Sequence, residues 1–185
     1  MKGKGIVAIA LLGISVCAFG QVRYTERLGT VENMNRVKPG MAIKRQDRVF
    51  LREAAQKNML ELELGEIARW KGSSEWAREY GEVMMKDHRM GVNEVRLIAR
   101  KLNLMVPNRL STENKKIVAR LSRLNGAEFD RAYRAEMIRG HNAYDEKLER
   151  EIKLGNNSLI RNFAIKSAPV TRLHAKMAAR RVTKI

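Results

Sequence analysis

The chain has 185 residues, 37 Lys and Arg against 20 Asp and Glu, a net charge of +17 and a pI near 10.5. With 44% hydrophobic residues it holds enough apolar material for one ordinary domain, which excludes a disordered chain. A single cysteine excludes a disulfide scaffold.

The N-terminus has the build of an export signal. Lys2 and Lys4 are followed by an apolar run from Ile6 to Phe19, and Ala18 and Gly20 supply small residues for cleavage before Gln21. That run is shorter than the ~18–20 residues of a spanning helix. Val16 stands where a lipoprotein signal needs a small residue, so Cys17 is expected to leave with residues 1–20. Cleavage removes two lysines and no acid, lowering the net charge to +15 and leaving no cysteine, as suits an oxidising compartment. A periplasmic or secreted location is expected.

Residues 21–45 are polar, contain Pro39-Gly40 and show no periodicity, so a flexible tether is expected before a folded unit at 46–185. The first helix is predicted over Asp47 to Trp70, stopping near Gly72. Ser73-Ser74 offers an N-cap for a second helix that continues to about Leu102, before Pro107. A short helix follows over Thr112 to Leu124. A third long helix runs from Ala127 to Leu154, and a fourth from the Asn156-Asn157 cap to about Val182, bent at Pro169. No strand pattern is present. The expected fold is all-α: an antiparallel four-helix bundle with an extra short helix between the second and third long helices.

The three histidines of the chain fall on three different helices, each inside an apolar stripe at ~100° per residue. His88 lies among Met84, Val92 and Val95; His141 among Met137, Ile138 and Leu148; His174 among Phe163, Val170 and Ala178. On the first helix Glu61 sits within the stripe of Phe50, Ala54, Leu64 and Ala68, whereas Glu63 points to the opposite, solvated side. His88 and His141 come to similar heights in an antiparallel pair. Glu61 and His88 match less well, being 11 and 16 residues from Gly72.

An inward carboxylate is costly without partners, and one divalent ion would satisfy it together with three imidazoles. Three nitrogens and one carboxylate suit zinc, iron or copper. Asp145, one turn beyond His141, could replace Glu61 or orient an imidazole. Without a metal, the same groups could be satisfied by Tyr80, Tyr133, Tyr144 and Arg134. Met84, Met137 and Met177, each about a turn from a histidine, are core fillers or thioether ligands for cuprous copper.

The segments QKNMLELELGEIA, MMKDH, LNGAEFDRAY and SAPVTRLH, in this order and spacing, resemble a family of secreted bacterial helical proteins classed as a domain of unknown function. The resemblance spans about residues 47–180 and implies a ferritin-like four-helix fold in the periplasm or outer membrane. It marks Glu61, His88, His141 and His174 and implies no activity. Ferritin-like di-iron proteins place a Glu three residues before each ligating His. Here those positions hold Met85, Ile138 and Thr171, so a single-ion site is the better expectation than a carboxylate-bridged pair.

Positive charge is concentrated. Ser158 to Ile185 carries Arg161, Lys166, Arg172, Lys176, Arg180, Arg181 and Lys184 and no acid, and Val95 to Arg123 carries eight basic residues against Glu113 alone. Such faces attract acidic envelope components or anionic membrane surfaces. Sequence-specific nucleic-acid binding is not expected, with no recognition motif and 5% aromatics, and no motif indicates a protein partner. No nucleophile–base pair or phosphate loop is present, so an enzyme is the weaker reading. Two readings remain: an exported bundle binding one transition-metal ion, for sequestration or protection from redox stress, and a noncatalytic module that docks on acidic surfaces.

Overall fold

The structure, a computed structural model, describes residues 42–180. The expected signal, nearly all of the expected tether, and Arg181 and Lys184 lie outside the described residues. Five helices and no strand are found among the described residues: α1 Arg45–Lys71, α2 Glu75–Lys101, α3 Thr112–Ser122, α4 Gly126–Leu154 and α5 Ser158–Ala179. The expected all-helical bundle with a short α3 is what the chain forms.

Local chemistry sets the ends. The Ser74, Ser111 and Asn157 side chains accept from the first free amides of α2, α3 and α5, each cap being worth about 1 kcal/mol. Gly126 opens α4 with φ +56°, where a side chain would be strained. α5 runs unbroken through Pro169, and the carbonyl this proline leaves free belongs to exposed Ile165. The helix stops at Ala179, short of the expected Val182. Arg134 Nη1 donates to the carbonyls of Ala178 (3.1 Å) and Arg180 (2.7 Å), and Arg180 is already extended.

The helices pack as two antiparallel hairpins, α1–α2 and α4–α5. α1 and α2 approach most closely at Gly65 and Gly81, where a Cβ on either would stand 2.8 Å from the other's carbonyl oxygen. α3 lies against α1 and α4. Gln56 fixes its entrance, accepting from Ser111 N (2.8 Å) and donating to Arg109 O (2.8 Å). α3 also covers the side expected to be solvated, so Glu63 is half-buried in a cleft with Arg109, Leu110 and Lys115.

Each hairpin's turn is held by an acid from the other hairpin. Asp130 on α4 accepts from Ser73 N (3.0 Å), Ser73 Oγ (2.7 Å) and Ser74 N (2.8 Å). Asp47 on α1 accepts from Asn156 N (3.0 Å). Between these ends the core divides in two. One apolar cluster is built on Phe50, Leu51, Val95, Leu148, Ile160 and Phe163, the other on Leu64, Tyr80, Met84, Phe129, Tyr133 and Met137. A buried polar layer separates them.

Asp47 and Glu151 are both fully buried, and their carboxyl groups interact. Burial, and then the neighbouring Asp47 carboxyl, push the Glu151 carboxyl up to about 8. A carboxyl that keeps its proton longer when folded adds stability below the ordinary carboxyl range. That stability is lost as pH rises through about 8. Urea midpoints should therefore fall more steeply between pH 5 and pH 9 in the wild type than in Glu151→Gln, whose amide does not titrate. Parallel pH profiles would count against this account.

Candidate metal centre

The polar layer is formed by Glu61, His88, His141 and His174, one from each long helix and each 14–17 residues into it. Mid-helix positions in antiparallel helices share a height, so the four meet. Their residues are at most 8% exposed. Ring centroids lie 6.0 Å (His88–His141), 5.4 Å (His88–His174) and 5.3 Å (His141–His174) apart. One ligating atom from each histidine lies within 4.8 Å of the other two, a spacing that could hold a metal ion. Glu61 joins from one side: Oε2 is 2.9 Å from His88 Nε2 and Oε1 is 3.3 Å from His141 Nδ1.

Each ring is tied at one nitrogen by a group that accepts. His141 Nδ1 donates to the Met137 carbonyl one turn earlier (2.8 Å). His88 Nδ1 donates to Asn58 Oδ1 (3.0 Å), which faces the ring because Asn58 Nδ2 donates to Ala54 O (2.8 Å). Asn58 has room only because residue 91 is glycine, since a Cβ there would fall 1.9 Å from its Oδ1. His174 Nε2 donates to Asp87 Oδ2 (3.0 Å). These bonds leave His141 Nε2 and His174 Nδ1 as the lone-pair nitrogens of their neutral rings, whereas His88 Nε2 faces Glu61 Oε2 at 2.9 Å. His141 Nε2 and His174 Nδ1 are buried without a hydrogen-bond partner, while the Glu61 oxygens are in ionic contact with Lys57 Nζ (2.5 Å) and His88 Nε2 (2.9 Å). Acceptors that hold the far nitrogen of an imidazole are the usual support of a metal-ligating histidine.

Burial drives the His141 imidazole down to about 3 despite the attraction of Glu61, so it is neutral and able to ligate at ordinary pH. Burial alone would raise the Glu61 carboxyl, but His141, Lys57 and His88 reverse this and hold it well below the usual carboxylate range. The hydrogen bond from His174 keeps the Asp87 carboxyl low, against a weaker opposing effect of burial.

Residues 33–180 match the family described as a domain of unknown function (DUF4142). The chain belongs to the DUF4142 family. A crystal structure of a DUF305 fragment from Deinococcus radiodurans is similar to this DUF4142 chain with a TM-score of 0.66 at 14% identity, covering 75% of this chain and 96% of that one. At that identity the likeness speaks for a shared helical fold. No curated protein matches the chain.

The four residues singled out in the sequence of this DUF4142 member thus come together. Glu61 and His88 meet despite their unequal distances from Gly72, because the linker Gly72–Ser74 sets the centre of the turn beyond that glycine and side chains lean toward the helix N-terminus. Asp145 does not join them: it pairs with Arg172 Nε at 3.0 Å. The expected polar network of tyrosines and Arg134 is also absent among the described residues. Tyr80 donates to the His174 carbonyl (3.1 Å), Arg134 is spent on the end of α5, and the Tyr133 and Tyr144 hydroxyls are buried without a partner. The methionines Met84 and Met137 are buried in the adjoining apolar cluster, and Met177 is packed against it.

Sequence reading missed Asn58, Lys57 and Asp87. The first two precede Glu61 by three and four residues and so share its face, a signal that was present. Asp87 lies ~100° round the helix from His88 and turns toward α5, which no wheel of α2 alone discloses. Side-chain ¹⁵N–¹H correlation spectra should show an Nδ1–H tautomer for His141 and a proton on Nε2 of His174. Asp87→Ala should disturb only His174. An Nδ1–H His174 in the wild type would refute the geometry.

Proposed function

We propose that this DUF4142 member is an extracytoplasmic bundle that binds one transition-metal ion, zinc, iron or copper, through His88, His141, His174 and Glu61, and serves in metal sequestration or protection from redox stress. One observation carries the reading. Three imidazoles from three helices bring ligand atoms within 4.8 Å of one another, His141 Nε2 and His174 Nδ1 have no hydrogen-bond partner, and the far nitrogens of the three rings are fixed by Asn58, the Met137 carbonyl and Asp87. Leaving buried acceptors unpaired costs about 1–3 kcal/mol each, and an ion coordinated by all of them would remove that cost. The nitrogen-rich set favours a borderline transition metal over calcium or magnesium, which prefer oxygen. Location outside the cytoplasm rests on the signal-like N-terminus and the absence of any cysteine beyond it.

Elemental analysis of the purified mature protein after zinc loading and desalting should find about one ion per chain. His141→Ala should retain little. Near-zero metal in the wild type would defeat the proposal.

A second reading has its own support. Arg96, Arg100, Lys101, Arg109, Lys115, Lys116, Arg120 and Arg123 are all exposed, and among the described residues only Arg120 is in a salt bridge, with Glu136 at 2.9 Å. This face could dock on anionic membranes or acidic envelope polymers. Binding to vesicles containing anionic lipid should fall by about tenfold or more from low to high salt and weaken when Lys115 and Lys116 become Gln. Salt-independent binding, or none, would reject it.

A further inference from the structure

The candidate centre contains a positive charge that three imidazoles and a carboxylate do not require for ligation. Lys57 lies one turn before Glu61, with Nζ 2.5 Å from Glu61 Oε1. Its side chain is 12% exposed against 0% for Glu61, so it runs from the surface into the core. Nζ also lies 5.9 Å from the centroid of the Tyr144 ring.

The space it occupies is reserved. A Cβ at position 140 would stand 2.8 Å from Lys57 Nζ and 3.9 Å from Glu61 Oε1. Gly140 has no positive φ, so its backbone asks for nothing unusual. Its lack of a side chain makes a notch on α4, immediately before His141, and the ammonium fills that notch.

A divalent ion on Glu61 would lie beside this ammonium where burial limits solvent screening, and like charges at such range repel strongly. Glu61 cannot leave, being enclosed on all sides. Lys57 can: its stem is flexible, its ammonium is readily hydrated and its side chain already reaches solvent.

We propose that Lys57 is the built-in counter-cation of Glu61, competing with a divalent metal ion for the carboxylate and swinging outward past Gly140 when the ion binds. Lys57 then sets the threshold concentration at which the site fills, and it keeps the buried carboxylate paired below that threshold. The inference rests on the metal-binding reading above and deepens it by assigning a residue that controls occupancy.

Two measurements test it, both with Zn²⁺ as the probe. In competition with a chromophoric chelator, Lys57→Met, which keeps the stem and removes the charge, should bind Zn²⁺ about tenfold or more tightly than the wild type. In the wild type, labelling of Lys57 by an amine-reactive reagent, read by peptide mass spectrometry, should accelerate severalfold on Zn²⁺ saturation. Zn²⁺ binding by the wild type with no gain in Lys57→Met would overturn the competition while leaving the metal site intact. Labelling that stays constant or slows would overturn the displacement, and decides the matter if Lys57→Met does not fold. Absence of binding in both proteins would end both proposals; binding in Lys57→Met alone would support the competition in its strongest form.

Discussion

The structure turns on a carboxylate held in the middle of a helical bundle with no access to water. Burying an unpaired charge costs several kcal/mol even after relaxation, so Glu61 dictates its surroundings. Lys57 approaches from its own helix, His88 and His141 from two others, and further residues exist to let these arrive. Gly91 clears space for Asn58, which holds His88; Gly140 clears space for Lys57. A layer this interdependent is poor material for stability, because apolar residues of similar volume would pack as well without the desolvation cost.

The remainder of the bundle compensates. Two apolar clusters above and below the layer supply the burial that the polar residues forgo, and each contains stacked or edge-on aromatic pairs such as Phe50–Tyr144 and Tyr80–Tyr133. The close crossing at Gly65 and Gly81 lets α1 and α2 lie nearly backbone to backbone, which fixes their relative height. With that height fixed, Glu61 and His88 have little freedom to slip past each other. Rigid rods, rather than loops, carry every member of the centre, so positions are set by packing over many turns.

Much of this was legible from residue order. Glycines, serines and asparagines punctuate the helices, and 3.6-residue periodicity alone turned His88, His141, His174 and Glu61 inward. What failed was anything that needed two helices at once. Asp145 looked as available as Glu61 until Arg172 was found against it. Asp87 carried no mark in the sequence, and its partner His174 arrives from α5. Tyr80 and Arg134 had the chemistry to serve the histidines but were drawn to backbone carbonyls instead. The interaction of Asp47 with Glu151 joins residues more than a hundred positions apart, and neither sits in a pattern that marks it. Helical phase is a local property and survives in sequence; the partner across the groove depends on register and tilt, which do not.

The reciprocal grip of Asp130 on the first turn and of Asp47 on the last has a consequence for how the molecule holds together. Each hairpin fastens the end of the other, and each contributes two donors to the centre, so the arrangement has an approximate internal twofold character. Half a molecule would hold two of the four central residues and one clasp with nothing to close on. Two chains that traded hairpins could recreate every one of these bonds, with the segment between α2 and α4 as the hinge. Such an exchanged dimer would carry the same four-residue cluster twice, each assembled from two polypeptides.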